Sequence, residues 1–185
     1  MEKLTSLIPE LSQQSSQKAW NEFVRFTGDD LHKYICYYLN DQEHAADILQ
    51  DVYLKTYLNL NSFTTSLKFS SWIYAIAHNQ VISNFRKIKA RPEGSSVTID
   101  LGLSDALASD LNIEKATDSK LLAERVAKAL AKLKPKYREI LILKYLEEKN
   151  YQEMSDIIKK PMGTVASMLN TARGEFKKVM ESDKI

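Results

Sequence analysis

The side chains between residues 163 and 178 are arranged to form hydrogen bonds and ion pairs on one side of a helix. Apolar residues recur at steps of four, three and four, which defines a buried helix face. They are Val165, Leu169, Ala172 and Phe176. The opposite face carries Thr164, Ala166, Ser167, Asn170 and Thr171, and then Arg173, Lys177 and Lys178. Small polar groups can approach base edges in the DNA major groove, and the cations that follow can lie near phosphates.

A shorter helix is predicted just before this one, separated from it by a turn of about four residues. The two helices cover residues 151–158 and 161–180, and Pro161 is tolerated because it stands at a first helical position. Two short helices joined in this way match the DNA-binding helix-turn-helix. A solvated helix in a small bundle would show the same periodicity, so this pattern alone leaves both interpretations open.

A second unusual surface lies on a helix predicted at about residues 41–60. Its core stripe is Ala45, Ile48, Leu49, Val52, Tyr53, Thr56 and Leu60. The opposite face carries Asp47, Gln50, Asp51, Leu54 and Leu58. An exposed stripe of carboxylates, an amide and leucines is typical of a docking surface for a basic partner helix. The alternative is that the two leucines pack on another part of the same domain.

A third helix, predicted at about residues 70–89, combines aromatic and basic character. It ends in NFRKIKAR and follows an aromatic loop. Aromatic side chains beside a basic helix suit single-stranded nucleic acid, whose unpaired bases can stack or enter pockets. Trp72 and Phe69 are expected to belong to the core, so the loop from Phe63 to Lys68 is the better candidate for contact.

These helices predict an all-α protein of two small domains joined by a flexible linker. The first domain spans residues 1–90 and begins with one or two helices in about 13–40, with a possible break at TGDD. The linker, 91–118, contains Pro, Gly and Ser, and near its end one lysine stands against five carboxylates. The second domain, 119–185, carries fifteen basic and nine acidic residues, a balance that favours a polyanionic partner.

Composition predicts a cytoplasmic protein that is not an enzyme. A single cysteine, Cys36, excludes an internal disulfide framework, and no apolar run predicts membrane insertion. His32, Cys36 and His44 have a spacing that could seat metal ligands, but no CxxC or HExxH accompanies them, so no metal is expected. No phosphate-binding glycine loop or nucleophile elbow is present, so neither a cofactor nor a small-molecule substrate is expected.

Three motifs in series resemble the extracytoplasmic-function (ECF) class of bacterial sigma factors, the two-domain initiation subunits of RNA polymerase. HAADILQDVYLKTYLNLNSF resembles AEDLxQEVFLxxWxxLxxF, and FSSWIYAIAHNQVISNFRK resembles FxxWLxxIAxNxxxDxxRR. LAKLKPKYREILILKYLEEKNYQEMSDIIKKPMGTVASMLNTAR resembles LxxLPxxxRxVxxLxxxEgxSYxEIAxxLgxpxGTVxSRLxRAR. Because the motifs keep their order and a linker of the right length, the chain is identified as a member of this class.

The resemblance implies roles for the first domain, region 2. Docking on the clamp helices of the polymerase β′ subunit is expected through Asp47, Gln50, Asp51 and Leu54. The loop at about 61–70 is expected to receive a base flipped from the non-template strand of the −10 element. Its candidate contacts are Phe63, Thr64, Ser66 and Lys68, and those of the third helix on the melted strand are Asn79, Arg86 and Lys87.

For the second domain, region 4, the resemblance implies reading of the −35 element by the last helix while the domain rests on the β flap. The expected DNA contacts are Thr164, Ala166, Ser167, Asn170, Thr171 and Arg173. The linker is expected to thread through the polymerase. An anti-sigma factor that covers the polymerase-facing surfaces of both domains is the further partner that the resemblance implies.

The chain departs from the family pattern where DNA contact is expected. Ala166, Met168 and Thr171 stand where the family usually carries basic residues, and lost cations weaken duplex binding. Two alternatives therefore stay open. One is a sigma-like helix-turn-helix regulator that binds DNA without polymerase, and the other is a protein-interaction module that has lost part of its DNA binding.

Overall fold

Helices make up all the regular structure in the part of the chain that the computed structural model describes, namely residues 11, 16–38, 42–64, 67–89 and 117–182. The first three are α1 (Gln17–Cys36), α2 (Gln42–Asn59) and α3 (Phe69–Lys89). The next four are α4 (Thr117–Lys132), α5 (Pro135–Leu141), α6 (Tyr151–Ile158) and α7 (Met162–Ser182). The predicted all-α fold is confirmed. The predicted linker lies outside the described residues, except for its last two positions, which begin α4.

Helix α1 runs without interruption through TGDD, so the break considered there is wrong. The Thr27 hydroxyl donates to the Phe23 carbonyl at 2.9 Å, inside the helix, and lies 3.1 Å from the Tyr53 hydroxyl of α2. A Cβ added at Gly28 would lie 3.5 Å from the Tyr53 hydroxyl, which shows how closely α1 approaches α2 at this point. Buried side chains at Phe23, Thr27 and Leu31 continue the helical spacing across the segment. Tertiary packing therefore overrides the weak local helix preference of Gly and Asp.

Helices α1, α2 and α3 pack on one another as the first bundle. Buried residues of α2 include Ala45, Ile48, Val52 and Thr56, all from the predicted core stripe. A short 3₁₀ turn, Leu60–Ser62, ends α2. In the core of the first bundle, the ring centroids of Phe23 of α1 and Phe69 of α3 are 6.0 Å apart. The first bundle thus turns the opposite face of α2 outward.

The second bundle is built from α4 to α7, and a buried arginine joins its first two helices. Arg138 Nε donates to the Leu130 carbonyl at 2.9 Å, and its Nη2 donates to the Ala131 carbonyl at 2.8 Å. These carbonyls belong to the last turn of α4, where backbone donors run out; the Leu130 carbonyl also accepts from the Leu133 backbone N–H at 3.1 Å. Burial lowers the pKa of this guanidinium. After α5 the chain continues through a π-helical turn, Ile142–Leu146.

The helix-turn-helix is formed by α6 and α7. A capping box begins α6. The Glu153 backbone N–H donates to Asn150 Oδ1 at 3.0 Å, and the Asn150 backbone N–H donates to Glu153 Oε2 at 2.9 Å. Lys159 ends α6 in the left-handed conformation, and α7 then starts at Met162. Val165, Leu169 and Ala172 are buried, which confirms the amphipathic face predicted for α7.

Two charged residues in the second bundle occupy a backbone conformation that favours glycine. Glu148 and Lys159 have φ of 50° and 52°. In the third motif compared in the sequence analysis, both residues align with a position where the family pattern has glycine, written g. A residue with a Cβ in this region costs about 1 kcal/mol or more relative to glycine.

We expect Glu148→Gly to stabilise the protein, because it removes this steric cost. The free energy of unfolding should rise by about 0.5–1 kcal/mol, measured by urea denaturation. Glu175→Gly is the matched control, since Glu175 is exposed within α7, and it should lower stability by a similar amount. A destabilised Glu148→Gly protein would contradict the strain argument.

Candidate nucleic-acid and partner interfaces

The outer face of α2 is open in this structure. Asp47, Gln50 and Asp51 are exposed, and Leu54 and Leu58 expose 57% and 65% of their surface. The alternative in which both leucines pack inside the domain is therefore wrong. Two carboxylates followed along the helix by two exposed leucines form an acidic and apolar stripe, which suits a partner helix with apolar and basic side chains. We call these five residues the α2 stripe.

The loop before α3 is anchored by its aromatic residue. Phe63 is half-buried, with its ring centroid 5.1 Å from that of Phe69 and 5.4 Å from that of Trp72. Phe69 is buried as predicted, whereas Trp72 is only half-buried. Thr64 is exposed, and Ser66 lies outside the described residues.

On α3, the predicted strand-binding side chains are accessible. Asn79, Arg86 and Lys87 are all exposed. Steps of seven and eight residues place Arg86 and Lys87 on the same side of a helix as Asn79. The structure thus gives α3 one basic, amide-bearing exposed face.

Carboxylates of the second bundle meet polar groups of the first, which local sequence reasoning did not predict. Lys68 Nζ lies 2.9 Å from Glu153 Oε1, and the Tyr74 hydroxyl donates to Glu147 Oε2 at 2.5 Å. The Tyr34 hydroxyl also donates to Glu139 Oε1 at 3.5 Å, and two other contacts join the bundles. They are His78 Nδ1 with Glu139 Oε1, and Lys149 Nζ at 4.1 Å from the centre of the Tyr74 ring. We call the set formed by Lys68, Tyr74, His78, Glu139, Glu147 and Glu153 the interdomain clasp.

Two groups of the clasp, Tyr74 and Glu153, have shifted pKa values. Burial, reinforced by the nearby Glu147 carboxylate, raises the pKa of Tyr74 far above its ordinary value, so its hydroxyl stays a donor. Burial tends to raise the pKa of Glu153, but the Asn150 backbone N–H and the Lys68 ammonium outweigh it and lower that pKa. Glu153 therefore keeps its negative charge to a lower pH than an ordinary glutamate, and the ion pair with Lys68 persists over the same range.

The outer face of α7 matches the prediction made from its spacing. Thr164, Ala166, Ser167, Asn170 and Thr171 are all exposed. The Thr171 hydroxyl donates to the Ser167 carbonyl at 3.0 Å. Met168 is half-buried and packs against the core. The exposed face of α7 therefore carries hydroxyl, amide and methyl groups at these positions.

The cations toward the end of α7 are engaged within the protein. Arg173 Nε donates to the Tyr145 hydroxyl at 2.6 Å. Lys177 Nζ lies 3.8 Å from Glu181 Oε1, and Lys178 Nζ lies 3.3 Å from Glu175 Oε1. Tyr145 was not singled out by the sequence, because its contact with Arg173 spans 28 positions.

An apolar groove of about 350 Å³ opens between α4, the π-helical turn and α7. Its lining includes Val126, Leu130, Tyr145 and Phe176, with Arg173 at its edge. Leu121 and Leu122 are exposed on the same helix as Val126. Apolar side chains without a covering neighbour in the described chain offer a second docking surface on this domain.

The proposed metal spacing does not gather a ligand set. Cys36 Sγ lies 3.8 Å from each ring nitrogen of His32. Burial raises the pKa of the Cys36 thiol, which disfavours the thiolate that metals prefer. Among the described residues, no three His, Cys, Asp or Glu side chains are placed to hold one ion. None of the helices in the described ranges has the length and apolar character needed to cross a membrane.

Comparison with known proteins identifies both bundles. The family described as Sigma-70 region 2 matches residues 23–91, and that described as Sigma-70, region 4 matches residues 123–175. The chain is 31% identical to the ECF RNA polymerase sigma factor SigW of Bacillus subtilis, covering 88% of this chain and 89% of that protein. It is 28% identical to the ECF RNA polymerase sigma-E factor of Escherichia coli K12, covering 93% and 92%.

Solved structures share the fold. CnrH, in a complex with the cytosolic domain of CnrY, aligns with a TM-score of 0.68 at 18% identity, covering 96% of each chain. RpoE of Bartonella quintana, in a complex with the anti-sigma factor NepR, aligns with a TM-score of 0.64 at 20% identity. That alignment covers 90% of this chain and 99% of RpoE.

Proposed function

This chain belongs to the ECF class of the sigma-70 family, and on that premise we propose which of its surfaces contact polymerase, promoter DNA and an inhibitor. As a member of this class, it is a transcription initiation factor that directs core RNA polymerase to specific promoters. We assign residues 1–90 to region 2, 91–118 to the linker and 119–185 to region 4. Catalysis belongs to the polymerase, so the protein acts as a specificity subunit in the cytoplasm, where transcription takes place.

Region 2 docks on the β′ clamp helices through the α2 stripe. The single observation that carries this assignment is the exposure of Leu54 and Leu58 on the same helix face as Asp47, Gln50 and Asp51. Burying two such leucines on a partner releases about 1.5–3 kcal/mol each, and the carboxylates orient a basic partner helix.

The loop and α3 hold the melted −10 strand. Phe63 packs edge-on against Phe69 and at a tilt against Trp72, which anchors the loop to the first bundle. Thr64, Ser66 and Lys68 are the proposed contacts to the flipped base and its phosphate. Asn79, Arg86 and Lys87 continue that contact along α3, where exposed cations and an amide suit a single strand.

Region 4 reads the −35 element through α7. Ser167, Asn170 and Thr164 present hydroxyl and amide groups toward the major groove, and Ala166 and Thr171 can contact the methyl group of thymine. Arg173 is the remaining contact, with its guanidinium oriented by the Tyr145 hydroxyl. The apolar groove beside Tyr145 is the proposed seat of the β flap.

An anti-sigma factor is the proposed inhibitor. The α2 stripe and the groove of region 4 are the apolar surfaces it would cover, because these same surfaces are assigned to polymerase. RpoE, which shares this fold, was solved in a complex with the anti-sigma factor NepR, and CnrH in a complex with the cytosolic domain of CnrY.

A library transcription assay tests the proposal. Core polymerase is supplied with fragmented host genomic DNA, with and without this protein, and transcript starts are mapped. Aligned upstream sequences sharing two elements would support it. Core binding without specific transcripts would favour the interaction module, for which the small-residue face of α7 is the supporting observation. DNA binding without core binding would favour a free regulator.

We expect Asn170→Ala to change −35 preference without changing core affinity. Loss of a good amide contact to a base costs about 1–3 kcal/mol of discrimination, or roughly fivefold to more than a hundredfold. The measurement is open-complex formation on promoters that differ at single −35 positions. Asn21→Ala, an exposed change on α1, is the control. An equal loss on every promoter would point to damaged folding.

A further inference from the structure

The turn of the helix-turn-helix carries two exposed lysines that the DNA assignments above do not use. Lys159 and Lys160 lie directly between α6 and α7, and both side chains are exposed. No ion pair or ring contact of either side chain is found in the described part of the chain. Their backbones are nevertheless fixed, because the Lys160 amide donates to the Ser155 carbonyl at 3.2 Å and its carbonyl accepts from the Ser155 hydroxyl at 2.6 Å.

The other cations beside the DNA-reading face are already engaged. Arg173 is held by Tyr145, and Lys177 and Lys178 are paired with glutamates on their own helix. They also lie far along α7 from the turn. At 1.5 Å per residue, Lys178 is roughly 25 Å from the start of the helix, whereas Thr164 lies within its first turn. Lys159 and Lys160 therefore supply positive charge at the entry end of α7, where these other cations do not reach.

The conformation of Lys159 strengthens the case that its charge matters. Its φ of 52° and ψ of 50° favour glycine, yet the position holds a long cationic side chain. Glycine would be the more stable choice for the backbone alone. The fixed backbone holds the exposed ammonium-bearing side chain of Lys159 at this turn, where it can bind an anion outside the folded chain.

We propose that Lys159 and Lys160 are phosphate contacts of this helix-turn-helix on duplex DNA, taking over positive charge that Ala166, Met168 and Thr171 do not supply along α7. The inference rests on the proposed function of region 4. Lysines at the turn neutralise backbone phosphates next to the groove into which the first turn of α7 projects, and so set the register of Thr164 and Ser167 on the bases.

The test measures the salt dependence of duplex binding by the full chain. Fluorescence anisotropy with a 30-base-pair duplex of mixed sequence, between about 20 and 200 mM NaCl, gives the slope of log K against log salt. Each phosphate contact contributes about 0.9 to that slope, so the double variant Lys159→Gly, Lys160→Gln should reduce it by about 1.8. Lys128→Gln with Lys134→Gln removes the same charge from exposed positions outside the helix-turn-helix and should leave the slope nearly unchanged.

A stability measurement separates this result from misfolding. Lys159→Gly alone should raise the Tm by about 2–4 °C while weakening duplex binding, because it relieves the backbone and removes the charge together. An unchanged slope in the double variant, or an equal loss in the control, would overturn the proposal. So would an absence of duplex binding by the wild-type chain at 20 mM NaCl. Promoter-specific transcripts in the library assay would still support the proposed function in each of these cases.

Discussion

Holoenzyme formation is expected to weaken by about tenfold to a hundredfold when Gln50 and Asp51 are both changed to alanine. Both residues are exposed on α2 beside Leu54, at the centre of the α2 stripe. Their removal deletes an amide and a carboxylate from the proposed clamp contact without opening a cavity in the first bundle. The measurement is the equilibrium affinity of labelled protein for core polymerase, at fixed salt.

A matched control separates surface chemistry from general charge. Gln17→Ala with Asp29→Ala changes the same two residue types at exposed positions of α1 and should leave the affinity within twofold of wild type. Thermal unfolding of both double variants should coincide with that of the wild type, since surface changes shift stability little. If core affinity were equal in both double variants, the α2 stripe would not be the docking surface.

The buried faces of the helices could be predicted from the sequence, because burial along a helix follows a spacing of three and four. Val165 and Leu169 on α7, and Ile48 and Val52 on α2, are buried where this spacing requires. Residues that this spacing leaves off the buried face are predicted to point outward. Their exposure is thus confirmed, whereas their contacts with DNA and polymerase stay predictions, because a single chain contains no partner atoms.

Features that depend on contact between distant segments could not be predicted in this way. Lys68 and Glu153 are 85 positions apart, and Tyr74 and Glu147 are 73 apart. Helix periodicity relates only residues that are close in sequence, so it cannot predict these pairs. The continuity of α1 through TGDD has the same origin, since it depends on Tyr53 of another helix. Intrinsic helix propensity is a weak predictor wherever tertiary contacts determine the conformation of a segment.

The interdomain clasp has a mechanical consequence for promoter recognition. The −35 and −10 elements are about 25 base pairs apart by position, or roughly 85 Å along the duplex at 3.4 Å per base pair. A compact chain of 185 residues has a radius of gyration of only about 16 Å. Under the proposed assignment of region 2 to the −10 element and region 4 to the −35 element, the two regions cannot occupy both elements while Lys68 is paired to Glu153, so we expect this arrangement to open before promoter binding.

Replacing the three carboxylates of the clasp by amides is therefore expected to open the protein. Glutamine at 139, 147 and 153 keeps the size of each side chain and its hydrogen-bond acceptor, including the capping contact to the Asn150 amide. The loss should be about 2 kcal/mol, or roughly 30-fold in the closed-to-open ratio, mostly from the two less exposed pairs. The pair with Lys68 adds little, because that side chain is 60% exposed.

Small-angle scattering and the rate of core association together distinguish opening from unfolding. The triple variant should show a larger radius of gyration than wild type with unchanged helix content, and should bind core polymerase faster because its open form is more populated. Glu148→Gln, Glu175→Gln and Glu181→Gln together remove the same charge at exposed positions of the second bundle and should stay compact. A triple clasp variant as compact as this control would show that apolar packing of α3 on α6 holds the domains together without the carboxylates.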